Sequence, residues 1–149
     1  MFDIHSHILP DVDDGAKTIE ESITILEAMY SQGITNVIAT PHFYPHDDNL
    51  EDYNEKVEKA FLELKQNTLN KNLPKIYLGC EILYYDGISK APSLYNFTIN
   101  NSKYLLLELS PYHVKDSVLR ELSYLQEERN IIPIIAHIER YSSRLWRRK

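Results

Sequence analysis

The chain begins MFDIHSHILPDVDDG, which sets His5 and His7 two residues apart and follows them with Asp11, Asp13 and Asp14. Successive side chains of a strand point to opposite faces, so His5 and His7 on a strand share one side and can grip one ion together. Two surface histidines beside a solvated acidic turn would read the same way, so the pair alone decides nothing. Other ligand-type residues recur at equivalent places. His42 stands in ATPHFYPH, Glu81 closes GCE, Glu108 lies in LLLEL and His137 in IIAHIER, each at the end of an apolar run. Glu108 is the most telling, because a buried carboxylate without a partner costs several kcal/mol or is neutralised. A bound metal removes that problem.

Imidazole nitrogens mixed with carboxylate oxygens, and no thiolate except Cys80, suit manganese, iron or zinc better than copper(I) or an iron–sulfur cluster. Six or more ligands exceed the needs of one tetrahedral ion, so a cluster of two or three ions bridged by Glu81 is expected. Such a cluster lowers the pKa of a shared water and clamps phosphoryl oxygens, which points to metal-assisted hydrolysis of a phosphate ester. Other residues fit less well. DVDDG lacks the D-x-[DN]-x-[DN]-G spacing of a calcium loop. A cysteine-based phosphatase would want Arg six positions after Cys80, where Asp86 stands, so Cys80 is expected to be a small buried strand residue. His46 and His113 read as solvated loop residues, and Arg140, three positions after His137, as a surface arginine or a bidentate phosphate partner.

These residues need elements to bring them together. Strand-like runs lie at 2–5, 35–40, 75–80, 103–109 and 132–136, nearly all apolar, as expected of parallel strands covered on both faces. Helical spacing covers 22–32, closed by Gly33, as well as 52–71 and 114–129. Residues 84–101, with Gly87 and Pro92, read as a long loop with one helical turn at most. The alternation predicts an α/β fold of crossover units, in which sites form at the carboxyl ends of the strands. The length of 149 residues predicts a single domain over 1–149. A net charge of −6 argues against nucleic acid as a general partner, although four basic residues crowd the closing RLWRRK. One cysteine and no leader or apolar span of about 18 residues predict a cytoplasmic protein without a transmembrane segment.

IHSHILPDVDDG, the PH after the second run, GCEI and above all IAHIERY resemble the PHP (polymerase and histidinol phosphatase) superfamily. Within it they resemble the manganese-dependent bacterial protein-tyrosine phosphatases of capsular and exopolysaccharide operons. The resemblance implies a distorted (β/α)7 barrel, of which about five strands are present, and a centre of up to three Mn(2+) ions, with Fe or Zn as alternatives. By the same resemblance His5 and His7 hold one ion, Glu81 bridges it to a second held by Glu108 and His137, and Asp14 and His42 serve a third. Arg140, which orients the phosphate, and His42 are the implied catalytic residues. The implied substrate is a phosphotyrosine protein, in particular the tyrosine-rich tail of a bacterial autokinase. A PHP phosphatase for a small metabolite such as histidinol phosphate, or a non-catalytic remnant that binds metal or a partner, are the alternatives. FYPHDDN and LYYDG are the expected rim. The family's later SDMH segment, with a further Asp, His and arginine, does not occur in this sequence, which predicts a C-terminally truncated member. Open strand edges would then favour association into homo-oligomers.

Overall fold

The computed structural model describes residues 1–110 and 116–141; His113, residues 114–115 of the expected third helix and the basic closing segment lie outside them. In chain order the elements are β1 (Phe2–Ser6), α1 (Ile19–Ser31), β2 (Asn36–Ala39), β3 (His42–Phe43), α2 (Leu50–Thr68), β4 (Lys75–Leu78), β5 (Glu81–Leu83), β6 (Tyr104–Glu108), α3 (Asp116–Arg129) and β7 (Ile132–Ile135). Every strand pair among the described residues is parallel. The sheets run β1-β2-β4 and β3-β5-β6-β7, the α/β class that the alternating pattern predicts.

The expected runs 35–40 and 75–80 each continue past a break into a second, shorter strand. Pro41 has no N–H for the ladder and interrupts the first. The Thr40 N–H donates to Ser6 O (2.8 Å), the Gly79 N–H to Ala39 O (2.8 Å) and the Glu81 N–H to Pro41 O (3.0 Å), so hydrogen bonds cross the junction between the two sheets. β3 and β5 escape a reading by composition because runs as short as HF and EIL carry no periodicity.

Helix starts follow their caps. The Thr18 side chain accepts the N–H of Glu21 (3.2 Å), so α1 begins before the apolar spacing predicts, and Asn49 accepts from Glu51 and Asp52 at the head of α2. Gly33, with φ of 82°, turns the chain out of α1. Leu26 of α1 and Val57, Ala60 and Leu64 of α2 pack on Val37, Ala39 and Ile76 of the first sheet. Residues 84–101 are more ordered than expected. They fold as three 3₁₀ turns that bury Ile88, Leu94 and Phe97 with Leu125 of α3 against Phe43, Ile82, Leu105 and Leu107.

Register then assigns the faces of the second sheet. Phe43, Ile82, Leu107 and Ile135 form one cross-strand row, and the first three pack among the buried residues under α3. The preceding row, His42, Glu81, Leu106 and Ile134, therefore points to the opposite face, and Glu108, two residues after Leu106, points there as well. Leu107 is 0% exposed in the middle of this layer. Leu107→Ala is expected to cost roughly 2–5 kcal/mol through lost burial and the cavity left behind, measured as a lower urea midpoint with an unchanged slope.

Candidate metal centre

Because all the strands run parallel, their carboxyl ends gather on one side of the sheets. β1 carries His5, and His7 lies one residue beyond its end, after a register shift between Asp3 and Ser6. β3 supplies His42 directly beside Glu81 of β5, and β6 ends on Glu108. His137 follows β7 with φ of 51° and ψ of 41°. A left-handed backbone is uncommon for histidine, and it turns this side chain back toward the others. Tyr141, 1% exposed, donates its hydroxyl to Leu109 O (2.6 Å) and accepts the Leu109 N–H (3.2 Å), tying the turn 137–141 to the end of β6.

Glu81, whose side chain is 0% exposed, is the focus. Its Oε2 lies 2.8 Å from His5 Nε2, 3.1 Å from His7 Nε2 and 3.3 Å from His42 Nδ1, and its Oε1 lies 3.3 Å from His137 Nε2. Among the described residues Oε1 nevertheless has no hydrogen-bond partner, which leaves one lone-pair site of a buried carboxylate open toward the centre. The Nε2 atoms of His5 and His7 face each other at 3.2 Å, a contact that a proton or a cation must mediate.

Among the described residues three sets of donor atoms lie close enough together to hold a cation: His5, His7 and Glu81; His7, Asp14 and His42; and His42, Glu81 and Glu108. All seven residues expected as ligands thus fall in one neighbourhood, with His7, His42 and Glu81 each shared between two sets and His137 against Glu81. Nitrogen and carboxylate donors with an orphaned buried oxygen fit divalent cations. Arg140 is half-exposed beside this neighbourhood, 3.4 Å from Glu108 Oε1. His46 stays outside, exposed and edge-on to Tyr85, as expected of a loop histidine. Cys80 is buried, and burial pushes its thiol up to about 12, the state of a structural cysteine rather than a nucleophile.

Composition gives no sign of the part taken by Asp13. Its carboxylate lies 2.6 Å from His7 Nδ1 and accepts the N–H groups of Gly15 (2.9 Å) and His42 (3.0 Å). Burial alone would lower the His7 pKa, but hydrogen bonds to Asp13 and Glu81 and the charges of both push it up to about 10. Burial would raise Asp13, yet the His7 contact and the two backbone donors hold it at about 2. Glu81 is also held below the carboxylate range, against the effect of burial, by His5 and His7. A cleft of about 420 Å³ adjoins the centre, lined by Asp14, His42, Tyr44, Asp48 and Tyr53 among others, with the Tyr44 ring stacked on His42 at 5.2 Å. FYPHDDN contributes to this rim, as expected, whereas LYYDG does not line it.

Known proteins resemble this chain over nearly its whole length. The family model for capsular polysaccharide synthesis, CpsB/CapC, matches residues 1–147. CapC of Staphylococcus aureus is 40% identical over 94% of this chain and 54% of its own length. The tyrosine-protein phosphatase CpsB of Streptococcus pneumoniae is 36% identical over 96% of this chain and 58% of its own. The tyrosine-protein phosphatase YwqE of Bacillus subtilis is 35% identical over 94% and 55%. A crystal structure from work on YwqE and CpsB, described there as metal-dependent tyrosine phosphatases, superposes with a TM-score of 0.80 at 33% identity, covering 96% of this chain and 57% of that one. The chain therefore spans a little over half the length of the relatives it matches. Among the described residues no helix is long and apolar enough to cross a membrane.

The shifted groups give the metal-free protein a defined pH response. The His7 pKa is raised from 6.5, so the stability it adds is complete below about 6.5 and is lost as pH climbs through about 10. Asp13 is lowered from 3.8, so its contribution is complete above that value and is lost as pH falls through about 2. The urea midpoint of chelator-treated protein should hold a plateau between about pH 3.8 and 6.5 and decline from there toward pH 10. His7→Gln should flatten that alkaline decline; an unchanged decline in the variant would contradict the assignment.

Proposed function

This chain belongs to the capsular polysaccharide synthesis CpsB/CapC family, and from that premise we propose that it is a metal-dependent phosphoesterase acting on protein phosphotyrosine. The observation that carries the reading is the buried Glu81 carboxylate, with the imidazole nitrogens of His5, His7, His42 and His137 within 3.3 Å of its two oxygens. The tyrosine-phosphatase names of CpsB and YwqE supply the substrate class. A bacterial tyrosine kinase whose own tyrosines are phosphorylated, in the control of polysaccharide synthesis, is the substrate that fits the family's capsular context. In this reading the two parallel sheets are part of a distorted (β/α)7 barrel.

His5, His7 and Glu81 would hold one cation, Glu81 with Glu108 and His137 a second, and Asp14 with His42 a third; manganese is the metal we favour, with iron or zinc as alternatives. Divalent ions bound there supply Lewis acidity and charge neutralisation at a phosphoryl group. The chain's own residues do the rest. Glu81, acceptor-only when ionised, keeps the Nε2 atoms of His5 and His7 aimed at one point. Among the described residues Arg140 contacts Glu108 at 3.4 Å and is 54% exposed, a placement from which its planar fork can turn onto a phosphate. The cleft beside His42 is open to solvent and flanked by Tyr44, whose ring offers an aromatic wall to an incoming side chain. A rim of this kind suits a residue on a protein surface better than an enclosed metabolite.

Phosphate release from a phosphotyrosine peptide and from histidinol phosphate, each measured with and without added Mn(2+), tests the reading. Manganese-dependent turnover of the peptide in preference to histidinol phosphate is expected. Bound metal with no rate on either substrate would instead favour a non-catalytic metal-binding protein. Arg140→Ala should lower kcat/KM by roughly 10- to 100-fold, the loss of one charge-assisted contact to phosphate, with the metal content unchanged.

A further inference from the structure

DVDDG places two aspartates side by side, and the structure gives them opposite surroundings. The Asp14 side chain is 83% exposed and brings Oδ1 to 3.6 Å from His42 Nε2, as one member of a set that could hold a cation. The Asp13 side chain is 7% exposed, belongs to none of those sets, and has both oxygens engaged by donors from the protein itself. We propose that Asp13 is a positioning residue: it holds the His7 ring with the proton on Nδ1 and Nε2 turned into the centre, and it pins the His42 backbone beside it. The proposal rests on the reading of this centre as a metal site.

The chemistry is that of a neutral imidazole, which can give a lone pair from only one nitrogen. Which nitrogen is free depends on the hydrogen bond made by the other. An ionised carboxylate is acceptor-only, so an Asp13 oxygen 2.6 Å from His7 Nδ1 requires the proton to sit there. Burial keeps water from competing for it. The rest of the loop fixes the carboxylate in turn. Gly15 donates to Asp13 Oδ1, the Ala16 N–H donates to His7 O (3.1 Å) and the Asp11 N–H to Ala16 O (2.9 Å). A Cβ on Gly15 would stand 2.1 Å from His7 O and 2.4 Å from His7 Cβ, so glycine is what lets the loop close on the histidine. One aspartate thereby links two histidines that come from different strands, His7 after β1 through its ring and His42 in β3 through its backbone.

The test uses the whole chain with ¹⁵N-labelled histidine and the variants Asp13→Ala, Asp13→Asn and Asp13→Glu. In wild-type protein, with or without Zn(2+), the His7 ring should show a hydrogen-bonded, slowly exchanging Nδ1–H proton. That proton should be lost in Asp13→Ala, kept in weakened form in Asp13→Asn, and partly restored in Asp13→Glu. Zn(2+) affinity by calorimetry should fall about 10- to 100-fold in Asp13→Ala, with Asp13→Asn and Asp13→Glu between it and wild type. A fold-only role would not grade affinity by acceptor strength at equal thermal stability. If Asp13→Ala does not fold, the Asn and Glu variants carry the same comparison. A wild-type His7 with a bare Nδ1, or variants that fold and bind Zn(2+) as tightly as wild type, would overturn the proposal. Failure of wild type to bind any divalent ion would count against the metal reading alone, since the Nδ1–H signal of the metal-free protein still tests Asp13.

Discussion

Glu81 sets the terms for the rest of this structure. A carboxylate with no exposed side-chain surface has given up its hydration, and in isolation it would be neutralised or would cost several kcal/mol. Here it keeps its charge because imidazoles from β1, from the segment just after it and from β3 converge on Oε2, while the turn after β7 brings His137 to 3.3 Å from Oε1. No local stretch of sequence can supply that set. It requires several chain segments to end at one place, and parallel strands joined by crossovers meet that requirement because all their carboxyl ends lie on one side. The fold and the centre are in this sense one constraint, and the apolar row Phe43, Ile82, Leu107 exists to hold the polar row His42, Glu81 on the opposite face.

The breaks in the strands are part of how this is done. Pro41 ends the β2 ladder and β3 resumes it immediately, while Gly79 and Cys80 separate β4 from β5 at the matching place on the neighbouring strand. After the break, His42 and Glu81 are in register as direct cross-strand partners, so the histidine and the carboxylate are adjacent by backbone pairing and not by side-chain reach. His137 needs a different solution. Its strand has ended, and the left-handed backbone at that residue, of order 1–3 kcal/mol above an ordinary conformation, re-aims the ring. Tyr141, clamped by both its hydrogen bonds to Leu109, is the neighbouring contact that over-determines that turn.

What could be read from sequence follows from these causes. The longer strands were legible as apolar runs, and the ligand-type residues were legible because each stands where such a run stops. β3 and β5 were not, since two or three residues carry no period and their pairing is a property of the neighbouring strand. The ordered turns of 84–101 were hidden because Ile88, Leu94 and Phe97 are spaced for no regular element and become core only when α3 lies over them. Within DVDDG three acidic residues were visible, but which one turns inward depends on where the His42 N–H arrives from another strand. The rim in FYPHDDN was legible as a place and not as a shape; the stacking of Tyr44 on His42 is tertiary.

The same electrostatics connects the centre to folding. Without a cation, a proton held on His7 offsets part of the negative charge of Glu81 and Asp13, which explains a histidine shifted upward although it is partly buried. That proton and a cation compete for the same nitrogen, because Nδ1 is already committed to Asp13 and only Nε2 faces Glu81. A metal bound to these residues must displace the proton, and it can do so only in the folded chain, where segments far apart in sequence have already met. Binding to the native state alone adds stability as RT ln(1 + [L]/Kd), about 2.7 kcal/mol at a hundredfold excess over Kd. On the proposed reading, metal and fold would support each other through one carboxylate: the sheets bring the donors to Glu81, and a cation held there would relieve the crowding of polar groups that the sheets impose.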